Sequence, residues 1–177
     1  MGRSRYIISE ESNTYFTTMS AMNWLPLFSV GKIAEIILNS LQFMHNNKRI
    51  ILHAYVIMET HIHTVSTSKE FADEIRNFKS YTARQIVDYL AINGPVTLLD
   101  QLKFYKKKHK TNQKYQVWQE GYHPKAILSE NVLKQKIEYV HYNPVRRGFV
   151  DKPEHWSYSS ARNYLGVEGI VSIEPIL

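Results

Sequence analysis

A chain of 177 residues with 44% hydrophobic residues is long enough to bury a core, and we predict a single domain over residues 1–177. The absence of cysteine from this sequence excludes disulfides, thiolate zinc sites and a cysteine nucleophile. A formal net charge of +6 favours a polyanionic partner, with nucleic acid ahead of an acidic membrane surface.

Residues 1–6 lack the apolar stretch of a signal peptide, and no apolar run reaches the roughly 18 residues of a membrane span. We therefore expect a cytoplasmic protein that does not cross a membrane. The first half of the chain then alternates between two patterns. Runs of aromatic and β-branched residues predict strands at 15–19, 50–58 and 61–67. Apolar stripes at helical spacing predict helices at 30–45, with Ser29 as its N-cap, and at 69–90.

Beyond Asn93-Gly94-Pro95, which ends the second helix, the patterns are weaker. A short apolar segment covers 96–102, and alternation at 115–119 predicts a further strand. Between them, six lysines crowd residues 103–114. Such a run is typical of a solvated loop and also of a phosphate-binding segment, and the sequence leaves both interpretations open.

The strand predicted at 61–67 carries two histidines. Because side chains alternate along a strand, His61 and His63 point to one face and Ile62 to the other, with the histidine Cα atoms roughly 6.5 to 7 Å apart. Two imidazoles at this spacing can converge on one metal ion. They can equally be two histidines on a solvated face, and the spacing alone does not decide between the two interpretations.

The last clear pattern is a helix that begins after Ser129, which matches an N-cap. Since Pro144 disfavours helical dihedral angles at the residue before it, we expect the helix to end within one residue of Asn143. Tyr139 and Asn143 are neighbours at i and i+4, at the edge of the apolar face. They could deliver polar groups to a site on the sheet, or be a half-buried tyrosine and a helix end.

Taken together, these segments resemble the single-tyrosine HUH transposases, and among them the REP-associated tyrosine transposases of bacteria. The matching segments, in the family's order, are 14–17 with 27–28, 54–58 leading into 61–63, 78–82, 117–123, 139–148 and 156–160. The Tyr-x-x-x-Asn-Pro-Val block at 139–145 and the Trp-x-x-Ser-Ser block at 156–160 are specific in combination.

The resemblance implies an α+β fold, namely a ferredoxin-like (RRM-like) antiparallel sheet with helices packed on it. It implies that His61, His63 and the amide oxygen of Asn143 bind a divalent metal ion, with Mg²⁺ or Mn²⁺ ahead of zinc or nickel. It also implies that Tyr139 is the nucleophile. Glu59-Thr60 stands where the family usually has a Pro-Asn pair, so Glu59 is a candidate additional ligand.

The implied activity is cleavage and rejoining of single-stranded or hairpin DNA through a 5′-phosphotyrosine. A phenol, which titrates near about pH 10, is a weak nucleophile, and a divalent cation at the scissile phosphate would stabilise the leaving 3′ oxygen. The basic side chains expected to hold phosphates are Lys79, Arg84, Arg146 and Arg147. DNA is the expected partner, and a homodimer is the expected assembly.

Two other functions fit the same residues. A non-catalytic nucleic-acid-binding module, such as a domesticated transposase, would keep the fold and the basic surface. A metal phosphodiesterase that activates water would use His61 and His63 but would leave Tyr139 and Asn143 without a role.

Overall fold

The computed structural model describes residues 13–176 and contains a four-stranded antiparallel sheet with helices on both faces. The strands are β1 (Thr14–Ser20), β2 (Ile51–Ile57), β3 (His61–Thr67) and β4 (Lys125–Ala126). The helices are α1 (Gly31–Asn46), α2 (Phe71–Ile92), α3 (Val96–Phe104), α4 (Glu130–Arg146) and α5 (Ala161–Tyr164). Residues 1–12 and 177 are not described, so the prediction made for residues 1–6 lies outside this range.

The strand order β2-β3-β1-β4, with β1 pairing antiparallel to both β3 and β4, is that of a ferredoxin-like sheet. The predicted α+β class is therefore confirmed. Within residues 13–176, none of the helices has both the length and the apolar composition needed to cross a bilayer.

Strand alternation divides the interior into two cores on opposite faces of the sheet. On one face, Tyr15 and Met19 of β1 pack with the buried stripes of α1 and α2. On the other face, Phe16 packs with the α4 residues Leu133 and Ile137. Because the side chains of a strand alternate, successive residues of β1 belong to opposite cores.

One local prediction in the first half of the chain needs correction. Ser29 is not the N-cap of α1, because it is the last residue of a 3₁₀ turn at Leu27–Ser29 and therefore lacks the extended conformation of an N-cap. The helix begins after Val30, which makes no capping hydrogen bond through its side chain. The apolar segment predicted at 96–102 forms the short helix α3.

The strand predicted at 115–119 is also wrong, since this segment makes a single bridge, between Trp118 and Ala21. Its side chains explain the alternation, because Trp118 is buried and packs against Phe28 and Phe78. The amides of Gln119 and His123 still donate hydrogen bonds to carbonyls of β1. These two amides are four residues apart in the sequence, whereas the carbonyls that accept from them are two residues apart, so the pairing is irregular. Regular pairing resumes only at β4.

The helix α4 runs one turn further than predicted, to Arg146, and Pro144 lies inside it. Ser129 is its N-cap, as predicted, and accepts a hydrogen bond from the Val132 amide. Gly148, just beyond the helix, has a φ of +74° and completes a Schellman motif. In this motif the Phe149 amide donates to the Pro144 carbonyl at 3.0 Å. The extra turn places Arg146 one turn beyond Asn143, on the Tyr139 side of the helix.

The Trp-x-x-Ser-Ser block runs along the outer edge of β2. The Trp156 indole donates to the Ile57 carbonyl at 3.0 Å, and the Ser160 amide donates to the Tyr55 carbonyl at 3.0 Å. The Ser160 hydroxyl also accepts from the Tyr55 amide at 2.9 Å and contacts His141 Nε2 at 2.9 Å. This block therefore covers a sheet edge and links it to α4.

We expect Ser160→Ala to lower the free energy of unfolding by about 1–3 kcal/mol, because it leaves the buried Tyr55 amide and His141 Nε2 without their partner. Urea denaturation measures this change. Ser157→Ala is the matched control, since Ser157 is exposed in the same block, and its effect should stay within about 0.5 kcal/mol. Equal effects of the two substitutions would contradict the linking role of Ser160.

Candidate active site

A cleft of about 420 Å³ lies between the end of β1, the start of β3 and the last two turns of α4. It collects six of the residues predicted from the sequence, from segments about eighty residues apart. The lining residues are Thr18, Ser20, Trp24, His61, His63, Tyr139, Asn143, Arg146 and Arg147. The structure therefore brings the candidate ligands, the candidate nucleophile and two arginines to one place.

The two histidines share the sheet face that carries α4, with their ring centres 4.8 Å apart. His63 Nδ1 lies 2.8 Å from the Thr18 hydroxyl, and His61 Nδ1 lies 3.0 Å from the Thr60 hydroxyl. With the proton on each Nδ1 and donated to threonine, each Nε2 presents a lone pair. Hydrogen bonds of this kind orient the imidazole ligands of metal ions.

Burial keeps both rings neutral. Desolvation, assisted by the positive charge of Arg147, lowers the pKa of His61 to about 4. Desolvation and the neighbouring His61 lower the pKa of His63 to about 3. At neutral pH both imidazoles are therefore unprotonated bases, which is the form that binds a metal ion.

Two buried polar atoms in the cleft lack hydrogen-bond partners among the described residues, His63 Nε2 and Asn143 Oδ1. Buried polar groups are nearly always paired, and an unpaired one costs about 1–3 kcal/mol. One nitrogen and one oxygen, both with free lone pairs, suit a divalent cation. The residues present thus fit the ion that the family resemblance implies.

Glu59, the candidate additional ligand, does not line the cleft. Its backbone carbonyl instead accepts a hydrogen bond from the Phe28 amide at 3.0 Å. Within residues 13–176, no three or more His, Cys, Asp or Glu side chains are grouped so that they could hold a metal ion. The donor set in the cleft is therefore two imidazoles and a carboxamide.

Tyr139 is half-buried beside the histidines. Its ring meets the His63 ring edge-on, with centres 5.3 Å apart, and the Phe16 ring at 5.7 Å. The Arg146 guanidinium lies 5.4 Å from the centre of the Tyr139 ring, and the Lys136 ammonium lies 5.9 Å from it. These packing contacts fix the ring, while the two cations favour a phosphate next to it.

The four basic residues expected to hold phosphates divide between the two sides of the sheet. Arg146 and Arg147 are exposed at the cleft, whereas Lys79 and Arg84 lie on α2, on the opposite face. The Lys79 ammonium donates to the carbonyls of Gln119 and Gly121 at 2.8 and 2.7 Å, and burial lowers its pKa to about 8. Lys79 thus fastens the segment before β4 to α2.

Arg84 lines a groove between α1 and α2, away from the histidines. A contact of Lys79 or Arg84 with DNA stays a prediction, because neither residue lines the cleft.

The sequence interpretation also missed residues that the cleft contains. Thr18 falls in a predicted strand whose partner was unknown, and Trp24 falls in a predicted loop. Only strand alternation, which places the Thr18 side chain on the opposite face of the sheet from Thr17, could have indicated that Thr18 faces the cleft.

His141 is a further functional neighbour that the sequence interpretation did not assign. It is buried behind Asn143, desolvation lowers its pKa to about 4, and its Nε2 contacts the Ser160 hydroxyl. Its role is to hold α4 against the edge of the sheet.

Comparison with known proteins finds similarity in sequence and in fold. A REP-associated tyrosine transposase of Haemophilus influenzae is 26% identical over 107 residues, which are 60% of this chain and 56% of that protein. The chain thus spans about half the length of this curated relative. The solved structure of a REP-associated tyrosine transposase bound to a REP hairpin matches all of this chain and 94% of its own, with a TM-score of 0.66 and 16% identity. No protein-family model matches.

The fold and the cleft define an α+β protein in which a helix bearing a tyrosine faces a pair of strand histidines. The chain is similar in sequence to one REP-associated tyrosine transposase and in fold to the solved structure of another, and the resemblance drawn from its sequence is confirmed.

Stability should fall as the pH drops from 7 to 5. The unfolded chain binds protons at His61, His63 and His141 near about pH 6.5, whereas the folded protein leaves these rings neutral down to pH values of about 4 or 3. Unfolding therefore takes up protons in this window. Each of the three rings contributes at most about 1.4 kcal/mol per pH unit to the slope of the free energy of unfolding against pH.

The measurement is the free energy of unfolding in urea at several pH values, with a chelator present so that no metal contributes. His63→Gln cannot titrate and should give a shallower slope than the wild type, whatever its absolute stability. Identical slopes for the two proteins would show that His63 is protonated in the folded state.

Proposed function

We propose that the protein is a DNA strand transferase that cleaves and rejoins single-stranded or hairpin DNA, with Tyr139 as the nucleophile. The observation that carries the proposal is the position of the half-buried Tyr139 ring, in edge contact with a neutral histidine pair and within the charge field of Arg146. A tyrosine, two neutral imidazoles and two arginines that line one cleft support this proposal.

The proposed step balances without a nucleotide cofactor. The Tyr139 oxygen attacks the scissile phosphorus, the bond from phosphorus to the 3′ oxygen breaks, the phenolic proton is transferred to solvent, and the leaving 3′ oxygen takes up a proton from solvent. The products are a 5′-phosphotyrosine and a DNA 3′ hydroxyl. Because the new phosphodiester keeps the energy of the old one, a DNA 3′ hydroxyl can attack it in the reverse step and rejoin the strand.

His61, His63 and Asn143 would hold a divalent metal ion, Mg²⁺ or Mn²⁺ in our proposal. When bound, the ion would supply Lewis-acid stabilisation of the charge that develops on the scissile phosphate and its leaving oxygen. The rest is done by the chain. Thr18 and Thr60 orient the imidazoles, Phe16 and His63 hold the Tyr139 ring, and Arg146 and Arg147 attract the phosphate.

Hairpin DNA is the proposed substrate because the solved relative is bound to a REP hairpin. A second candidate function is a non-catalytic module that binds the same DNA, which would make use of the exposed arginines. The unpaired Nε2 of His63 and Oδ1 of Asn143 favour the enzyme, since a module that only binds DNA gains nothing from leaving them buried and unpaired.

We expect Tyr139→Phe to abolish the covalent adduct while leaving DNA affinity within about twofold, because only the hydroxyl is removed. The substrate is a labelled hairpin oligonucleotide with unpaired flanks, taken from the DNA next to the gene and incubated with Mn²⁺ or Mg²⁺. A denaturing gel detects label that migrates with the protein.

Tyr142→Phe is the matched control, because Tyr142 lies on the same helix but is exposed away from the cleft, and it should keep the adduct. An adduct of full yield with Tyr139→Phe would refute the assignment of the nucleophile. Cleavage without any protein-linked DNA in the wild type would select the water-activating phosphodiesterase instead. Binding without cleavage would select the non-catalytic module.

Asn143→Leu tests the proposed metal site by a readout other than activity. In the wild type, Mn²⁺ well above its dissociation constant should raise the melting temperature by about 5 °C. The variant keeps the side-chain shape but removes the unpaired Oδ1, so its metal-free melting temperature should be equal or higher and its Mn²⁺ shift should be lost.

Asn163→Leu is the matched control, because Asn163 also has a buried Oδ1 without a partner among the described residues but lies outside the cleft. It should keep the Mn²⁺ shift of the wild type. An undiminished shift in Asn143→Leu would remove Asn143 from the ligand set.

A further inference from the structure

Trp24 is an unusual residue at the rim of the cleft. Its side chain is 63% exposed, although both of its buried neighbours, Met22 and Leu25, are held in the core. Among the described residues it makes no ring stacking contact and no side-chain hydrogen bond, in contrast to Trp118 and Trp156, which make both. The chain thus presents a large aromatic surface to solvent next to the histidines and arginines.

The backbone holds this surface in place at some cost. Asn23 and Trp24 both have a φ of +52°, in the left-handed region that a bulky residue seldom adopts. Strain of this kind persists only where surrounding contacts determine the conformation, and it is concentrated at functional sites. A tryptophan that served only to fill space would not need it.

The loop that carries Trp24 is fastened to the hairpin that carries the histidines. The Ala21 amide donates to the Thr60 carbonyl at 2.8 Å, and the Phe28 amide donates to the Glu59 carbonyl at 3.0 Å. A third hydrogen bond joins the Met22 amide to the Val117 carbonyl at 2.7 Å. The backbone that carries Trp24 is therefore fixed relative to His61, which begins β3 directly after Glu59 and Thr60.

We propose that Trp24 is a stacking platform for an unpaired nucleobase next to the scissile phosphate. The described residues that line the cleft include two exposed arginines and no carboxylate, which suits a polyanion beside the indole. Nucleobases stack on an exposed indole face irrespective of their identity. Bases in a duplex are already stacked on each other, so this contact selects unpaired DNA and positions its phosphate towards Tyr139.

This inference rests on the proposed function, because the scissile phosphate is defined by the adduct on Tyr139. Its test is a scan in which each nucleotide of the unpaired flanks of the same hairpin oligonucleotide is replaced in turn by an abasic site. Affinity is measured with Tyr139→Phe protein, which does not consume the probe, with Trp24 either intact or replaced by asparagine. Asparagine tolerates positive φ and removes the stacking surface, so the loop keeps its conformation.

With Trp24 intact, we expect an abasic site at one or two positions next to the cleaved bond to weaken binding roughly tenfold. In Trp24→Asn, the same abasic sites should have no effect, and the intact probe should bind about as weakly as the abasic one. Trp24→Phe should restore part of the affinity. Phe43→Ala, at an exposed aromatic on α1 across the sheet, should retain the wild-type abasic profile.

Tryptophan fluorescence gives a second readout. Since Trp118 is buried and Trp156 is half-buried and hydrogen-bonded, a stacked base should quench mainly the emission of Trp24. Quenching on addition of the probe should therefore be lost in Trp24→Phe. Equal quenching in that variant would overturn the inference, and so would an abasic profile that is the same with Trp24 intact and in Trp24→Asn.

The two proposals fail in different ways. A Tyr139 adduct without coupling between Trp24 and any abasic position overturns the stacking platform and leaves the strand transferase standing. Coupling without an adduct supports the stacking platform and counts against the strand transferase.

Discussion

The packing of α4 onto one face of the sheet is the contact on which the site depends. Leu133, Ile137 and Val140 form a single apolar stripe that meets Phe16 and Val65, and this seals one side of the sheet. The same alignment brings the next stripe of the helix, with Tyr139 and Asn143, over the histidines of β3. A rotation of α4 by one residue, about 100°, would separate the ligands and expose the apolar stripe. The burial of apolar area and the assembly of the site are thus one event.

The two faces of the sheet have different functions, although helices cover both. The face covered by α1 and α2 holds most of the large buried side chains, and Lys79 on this face donates to backbone carbonyls. The face covered by α4 is incompletely filled at the end where β3 begins, and that opening is the cleft. The net charge of +6 did not indicate which face would bind an anion, because net charge does not show which cations already have partners.

The sequence predicted most of the regular elements and six of the nine residues that line the cleft, for identifiable reasons. Strand alternation placed His61 and His63 on one face, and the i, i+4 spacing placed Tyr139 next to Asn143. Both are local rules, and tertiary packing changed neither arrangement. The failures came from tertiary contacts. Trp118 lies in an alternating run because it fills a gap between Phe28 and Phe78, and not because the run pairs as a strand. Pro144 does not end α4, since the helix continues to Arg146 and is closed by the Schellman motif at Gly148, in which the Phe149 amide donates to the Pro144 carbonyl. Trp24 could not be placed, since its position depends on hydrogen bonds between distant loops.

Burial in the cleft varies in a way that constrains how a phosphate can enter. His63 and Asn143 lie deepest and are buried, Tyr139 is half-buried above them, and Arg146, Arg147 and Trp24 are exposed at the rim. A polyanion approaching from solvent therefore meets the cations first, where contact costs little desolvation, and meets the unpaired lone pairs last. Those lone pairs would repel a phosphate that arrived alone, because nitrogen and oxygen acceptors cannot donate to it. The two arginines at the rim lie at the exposed end of α4, one turn beyond Asn143. A separate positive charge between the acceptors and the phosphate, such as the divalent ion that we propose, would complete the deep end of the cleft.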